Sequence, residues 1–253
     1  MKKWKITALN IGTLDFEKSI ATYLKDCGVK MKVNNVMFLI EETGGTGKVV
    51  VDTGFESVER TMAVHGQQVW RSEEQKPEKL LKGLGVNPES VESVILTHLH
   101  YDHSGNNHLF PNAKFFVQRT ELQYAFAPLP DELTPYFSPL LGEKPSFWGS
   151  PFEIMDGDYE VIDGIRVIAA SGHTPGSQMV LVDTSAGTYC LPGDNAFLYE
   201  NIEHGISPGH VYSRGDWFAS MAKARQLSDR MLPSHDPLLF KNGPAVFRET
   251  EGT

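Results

Sequence analysis

Cysteine is nearly absent: Cys27 and Cys190 are the only two in 253 residues. Two thiols build no disulfide framework and neither lies in a Cys-x-x-Cys zinc pattern, so the pair reads as reduced thiols of a cytoplasmic protein. Long apolar runs are missing too. Val36-Met37-Phe38-Leu39-Ile40 and Val49-Val50-Val51 fall far short of the roughly 18 residues that span a bilayer. The basic opening Met1-Lys2-Lys3-Trp4-Lys5 leads into polar and acidic residues, not into a secretory apolar segment. Positive charge is in deficit: 23 Lys+Arg against 32 Asp+Glu leave a net −9 with His neutral. That balance argues against nucleic acid or an anionic membrane as the main partner, while a local site can still be cationic. What is present is an ordinary globular composition, 40% hydrophobic and 22% charged, long enough for one domain over residues 1–253 with a real core.

The first half alternates strand-like and helix-like segments. Residues 4–10 and 31–41 read as strands, and Gly44-Gly45-Thr46-Gly47 turns the chain into Val49-Val50-Val51 and Asp52-Thr53-Gly54. Helical patterns follow over 57–65 and 77–84, strands over Val91 to Thr97 and Lys114 to Gln118, and a short helix capped by Thr120. Six prolines and several aromatics over 128–151 suit neither a regular helix nor a disordered linker. This stretch is expected to be an ordered excursion, either a lid or a packed surface loop. In the second half, 159–170 reads as a hairpin with a type I′ turn at Asp163-Gly164. Met179–Thr184 and Thr188–Leu191 form a second pair. Asp216 is expected to cap an amphipathic helix that buries Phe218, Met221, Ala222, Arg225 and Leu227. Two halves with strands first and helices after suggest two sheets packed face to face with helices outside.

The chemistry-bearing stretch is Thr97-His98-Leu99-His100-Tyr101-Asp102-His103-Ser104-Gly105. Three His and one Asp fall within six positions directly after an apolar strand. Imidazole nitrogens and carboxylate oxygens are ligands that Zn²⁺ and similar divalent ions accept. A loop leaving a strand end can aim them at one point, and Gly105 is expected to permit the sharp turn that follows. Further along, His173 in Gly-His-Thr-Pro-Gly, Asp194 in Pro-Gly-Asp and His235 in Pro-Ser-His-Asp each follow a predicted strand. Each alone is weak. Together, four strand ends deliver metal-type side chains, as expected of a site built from loops on a rigid scaffold.

From Asp52 to His235 this ordered set of motifs, with HLHYDH as its centre, resembles the metallo-β-lactamase superfamily. The resemblance implies an α/β fold, a four-layer αββα sandwich, with two divalent metal ions, Zn²⁺ first among the candidates, at one edge between the sheets. It implies His98, His100 and His173 on one ion, Asp102, His103 and His235 on the other, and Asp194 bridging. Asp52 resembles the family's carboxylate that orients a ligand histidine from behind. The implied chemistry is attack of a metal-bridging hydroxide on a carbonyl, with Asp102 and Asp194 in the catalytic set and Asp194 returning a proton to the leaving group.

Within the superfamily, the motif is most similar to the N-acyl-homoserine lactonase group and to lactonases of small heterocycles such as 4-pyridoxolactonase. His103 and Asp194 stand where the best-known zinc β-lactamases carry Arg and Cys. Glyoxalase II-type thioesterases usually have two glycines after the motif, where this chain has Gly105 followed by Asn106-Asn107. The implied substrate is therefore a small lactone. A heterocyclic lactone, cyclic amide, aryl ester or thioester is the alternative, and a non-catalytic metal-binding relative a distant one. One departure is Phe197, where the lactonases carry a substrate-contacting Tyr three residues after the bridging Asp. Phe197, Tyr199 and Tyr212 are the candidate substrate contacts, with His204 and His210 nearby in sequence. Monomer and homodimer are both open.

Overall fold

The computed structural model describes residues 2–241 and the backbone of 246–247. Its strands are β1 (Trp4–Glu17), β2 (Lys30–Glu42), β3 (Lys48–Val51), β4 (Val69–Trp70), β5 (Ser93–Ile95), β6 (Lys114–Gln118), β7 (Phe152–Met155), β8 (Tyr159–Ile162), β9 (Ile165–Ala169), β10 (Gln178–Thr184), β11 (Gly187–Leu191), β12 (Arg230–Met231) and β13 (Val246–Phe247). Its α-helices are α1 (Lys18–Ala21), α2 (Val58–Val64), α3 (Pro77–Gly83), α4 (Tyr101–Ser104), α5 (Arg119–Phe126), α6 (Tyr199–Glu203) and α7 (Arg214–Leu227). One sheet runs β13-β1-β2-β3-β5-β6-β7, with β4 paired to β1, and the other runs β12-β11-β10-β9-β8. From β3 through β7 the first sheet is parallel. The second is antiparallel except where β12 joins β11.

Alternation along the strands builds the layers. In β2, Val36, Phe38 and Ile40 face the core between the sheets, while Met37 and Leu39 face the opposite side with Leu81 of α3 and Ala125 of α5. In β10, Val180 and Val182 face inward, while Met179 and Leu181 meet Trp217, Met221 and Ala224 of α7. Period-two alternation between two apolar faces is what a strand covered on both sides requires. The result is the four-layer αββα sandwich expected from the sequence.

Several local expectations need correction. The cap of α7 is Ser213, whose Oγ accepts from the Asp216 N–H at 3.3 Å, so the helix starts earlier than Asp216. Its buried side is Trp217, Ser220, Met221 and Ala224, with Phe218 half-exposed and Ala222 on the solvent side. The buried stripe lies about one residue earlier than expected. Thr120 lies inside α5, whose N-cap is Gln118. At the β8–β9 turn only Gly164 has a positive φ, +85°, so the turn is not type I′. Stretch 128–151 contains two short 3₁₀ turns and is held by buried Tyr136, Phe137 and Phe147, while Trp148 is exposed. It is ordered, as expected, and packs beside the strand ends.

Candidate metal centre

The loop after β5 carries His98 and His100, and α4 carries Asp102 and His103. His173 follows β9, Asp194 lies on a 3₁₀ turn after β11, and His235 follows β12. All seven side chains are buried, and they converge at one end of the sandwich. They form two groups whose ligand atoms lie within 4.8 Å of one another: His98, His100 and His173, and Asp102, His103, Asp194 and His235. The first sheet supplies four of these residues and the second sheet three.

Gly105 is required for a reason other than the one expected. Its φ is −70°, ordinary helical backbone. A Cβ there would lie 2.3 Å from the Glu56 nitrogen and 2.4 Å from the Gly54 oxygen. Glycine is needed because the loop after β3 crosses directly against α4. The Gly105 N–H donates to Gly54 O at 2.7 Å. Asn106 Nδ2 adds bonds to the Thr53 and Phe55 carbonyls at 2.6 and 2.8 Å.

The outer nitrogens of the histidines decide which form of each ring faces inward. His173 Nδ1 meets the His210 carbonyl at 3.0 Å, and His235 Nδ1 meets the Asn34 carbonyl at 2.7 Å. A carbonyl only accepts, so both rings donate from Nδ1 and turn Nε2 inward. His103 Nδ1 lies 2.8 Å from Asp52 Oδ2 and is fixed the same way. Thr97 Oγ1 donates to Asp52 Oδ2 at 2.8 Å and therefore accepts from His98 Nδ1 at 3.1 Å. His100 is reversed. Its Nδ1 lies 3.1 Å from both His98 Nε2 and His173 Nε2, and its Nε2 faces Glu132 Oε2 at 3.4 Å. Three ring nitrogens, two of them on rings whose outer nitrogens are hydrogen-bonded, thus crowd together, and three lone pairs repel unless a cation lies among them.

The second group has the same character. His103 Nε2 and His235 Nε2 lie 3.1 and 3.0 Å from Asp194 Oδ1, and 3.7 and 3.8 Å from Asp102 Oδ2. Both nitrogens are buried and neither makes a well-directed hydrogen bond. Asp194 Oδ2 points the other way, 3.6 Å from His173 Nε2. One carboxylate thus reaches toward both groups. This all-N/O donor set, with its committed outer partners, fits a pair of divalent ions.

Electrostatics divide the groups further. Burial, reinforced by neighbouring imidazoles, holds His98 well below the ordinary histidine range, and burial lowers His173 to about 3. Both rings are neutral and ready to act as ligands. Burial also opposes protonation of His103 and His235, but Asp194 and Asp102 outweigh it and raise both. Burial would raise Asp194, yet His103 and His235 hold it well below the carboxylate range. In the metal-free protein, protons on His103 and His235 fill the positive role, and an entering ion displaces them.

Beside the two groups opens a cleft of about 510 Å³. Phe16, Ile20, Tyr23 and Leu24 line one side, and Asp131 and Pro135 of the 128–151 stretch lie on another. Phe197 lines it as well, stacked on His235 at 5.2 Å and edge-on to His173 at 5.5 Å. His210 is also in its wall. Tyr199 and Tyr212 are not. Tyr199 packs against the inter-sheet core, and Tyr212 is half-exposed beside Tyr124. His204 caps the C-terminal end of α6 on the surface.

Residues 32–235 match the family model of the metallo-beta-lactamase superfamily. The chain belongs to the metallo-beta-lactamase superfamily. Among curated members it is 34% identical over 170 residues to an N-acyl homoserine lactonase of a Bacillus species, covering 63% of this chain and 64% of that one. It is 32% identical over 177 residues to the N-acyl homoserine lactonase AttM of Azorhizobium caulinodans, covering 66% and 67%. The chain thus spans slightly less than two thirds of the first curated metallo-beta-lactamase relatives it matches. A solved N-acyl homoserine lactone hydrolase, with N-hexanoyl-L-homoserine at its catalytic metal centre, superposes with a TM-score of 0.78 at 23% identity, over 94% of this chain and 95% of that one. At that identity the likeness establishes the metallo-beta-lactamase fold.

Three contributors escaped the sequence reading. Thr97 looks like the last residue of a strand. Glu121, at the start of α5, reads as a solvated charge, but its Oε1 accepts from the Leu99 N–H at 2.9 Å and from the Tyr136 hydroxyl at 2.8 Å. Glu132 lies among prolines with no pattern to mark it.

Proposed function

We propose that this protein is a single-domain dinuclear metal hydrolase that opens a lactone ring, with N-acyl homoserine lactones as the first substrate class. The observation that carries the reading is the pair of buried donor groups sharing Asp194 at the floor of a partly apolar cleft. His98, His100 and His173 would hold one ion, Asp102, His103 and His235 the other, and Asp194 both. Bound divalent ions supply Lewis acidity toward a carbonyl and make water acidic enough to act as a nucleophile at neutral pH. Zn²⁺ suits the donors, and a cytoplasmic location suits the free thiols.

The chain's own groups do the rest. Asp102 and Asp194 bring two negative charges against the ions, leaving the centre cationic toward an oxyanion. Asp194, touching both groups, is placed to carry a proton to the alkoxide that leaves when the ring opens. Phe16, Ile20 and Leu24 offer apolar surface for an acyl chain. Phe197 brings no hydroxyl to the cleft, which favours a second reading: hydrolysis of another carbonyl compound, such as an aromatic lactone or a thioester.

Proton release on a panel of acyl-homoserine lactones, simple and aromatic lactones and a thioester separates these readings. Opening of acyl-homoserine lactones that is lost on chelation and restored by Zn²⁺ is the expected result. Turnover of the thioester alone would overturn the lactonase reading. Asp102→Asn is expected to lose one of two ions and at least 100-fold in rate; full activity with two ions would count against this ligand scheme.

A further inference from the structure

Four of the five histidines at the centre have an outer partner that fixes the ring: Thr97 for His98, Asp52 for His103, the His210 carbonyl for His173 and the Asn34 carbonyl for His235. The outer nitrogen of His100 makes no well-directed hydrogen bond among the described residues; it faces the buried Oε2 of the Glu132 carboxylate at 3.4 Å. The Glu132 side chain is 14% exposed, and its other oxygen takes a 2.7 Å contact from His210 Nε2. His210 lies parallel to His100 with ring centroids 5.9 Å apart, and its carbonyl holds His173. Two of the three imidazoles of the first group are therefore steadied from one small cluster. The cluster starts from a 3₁₀ turn, Pro130–Glu132, in the proline-rich 128–151 stretch.

We propose that Glu132 is a positioning residue for His100: it fixes the ring as the Nε2–H form, so that Nδ1 faces His98 and His173, and so ties the 128–151 stretch to the three-histidine group. Glu132 is not itself a donor to that group. It faces Nε2, whereas Nδ1 is the nitrogen that meets the other two rings. A carboxylate on the outer nitrogen fixes the tautomer and raises the basicity of the ligand nitrogen, and losing such a partner typically costs 10–100-fold in metal affinity or activity. Tyr136 supports the arrangement. Its ring packs edge-on to His100 at 4.5 Å, and its hydroxyl is held by Glu121.

This inference rests on the reading that His98, His100 and His173 share one ion. The test compares Zn²⁺-loaded native protein with Glu132→Gln and Glu132→Ala, using Asp131→Asn as the neighbouring cleft control. Ions retained per chain are counted during titration with a chromophoric chelator. The native protein and Asp131→Asn should hold two ions. Glu132→Ala should surrender one ion at about 10–100-fold lower chelator strength and keep the other, and Glu132→Gln, whose amide oxygen still accepts from Nε2–H but brings no charge, should fall between Ala and the native protein. Ring ¹⁵N shifts should show His100 as Nε2–H in the native protein and as a tautomer mixture in Glu132→Ala, a change that a general loss of packing would not confine to one histidine. Glu132→Leu, which fills similar space without an acceptor, reports on the inference if Ala fails to fold. Two equally tight ions in Glu132→Ala or Glu132→Leu, with an unchanged His100 shift, would overturn it. A native chain unable to hold two ions would overturn the metal reading itself.

Discussion

Asp52 follows β3 directly, with φ at +57°, a left-handed conformation that few non-glycine residues adopt. Its carboxylate accepts from the Thr97 N–H at 2.8 Å, from the Thr97 hydroxyl and from His103 Nδ1. The strained backbone accompanies one carboxylate that holds His103 directly and His98 through the Thr97 hydroxyl. Asp52→Asn should keep the fold but weaken metal retention at the group holding His103 by about 10–100-fold, read by chelator titration. Phe197→Tyr would return a hydroxyl to the cleft. One hydrogen bond of about 1 kcal/mol corresponds to roughly fivefold in kcat/KM on an acyl-homoserine lactone. An unchanged value would show that Phe197 is a wall and nothing more. Titration has a definite sign in the metal-free protein. His173 falls from the ordinary 6.5 to about 3, so between those values the unfolded chain binds more protons, and stability drops as pH falls through that window. His103 and His235 are raised, so their contribution is full below about 6.5 and is lost as pH climbs through their folded values. Thermal melts of chelated protein should therefore be highest near pH 6–7. A melt that rises steadily into acid would contradict this balance.

The elements show why some of this was legible in the sequence and some was not. The seven converging residues announce themselves because each follows an apolar strand, and strand ends are readable from β-branched runs and turns. Of the residues behind them, Asp52 is legible through the family resemblance and the others are not. Thr97 acts through a hydroxyl that only the fold brings to Asp52 and His98, and the His235 partner is a backbone carbonyl, which every residue has. Glu121 and Glu132 look like solvated charges until the chain folds over them. Helix ends are equally hidden: Ser213 competes with Asp216 as the cap of α7, and both are good caps. Gly105 shows the difference most sharply. Local sequence suggests a turn, whereas the contact that forbids a side chain comes from a loop about fifty positions earlier. Gly105→Ala must push backbone against backbone, so a loss of several kcal/mol is expected in urea unfolding, together with weaker metal retention. A loss under 1 kcal/mol would mean that the loop after β3 can move aside.

On the scale of the whole molecule, the first sheet contributes His98, His100, Asp102 and His103, and the second contributes His173, Asp194 and His235. Ions held by both sets would join the sheets. A ligand that binds only the folded state stabilises it by mass action. Chelation should thus lower the melting temperature by many degrees, and stoichiometric Zn²⁺ should restore it; an equal melting temperature in both states would sever the centre from stability. The donors are also spread along the chain from residue 98 to residue 235. During synthesis the first four emerge well over a hundred residues before the last. Neither set can be completed early, because His173 closes one and Asp194 and His235 close the other. A chain interrupted before residue 230 would carry most of the core, four ligands for the first ion and three for the second, counting Asp194 for both, yet would lack the side chain that finishes the second. Full loading with two ions therefore doubles as a certificate of completed synthesis: a partly made or mispaired chain would have no matched seat for the pair, and the hydrolytic centre would stay silent until the two sheets had met.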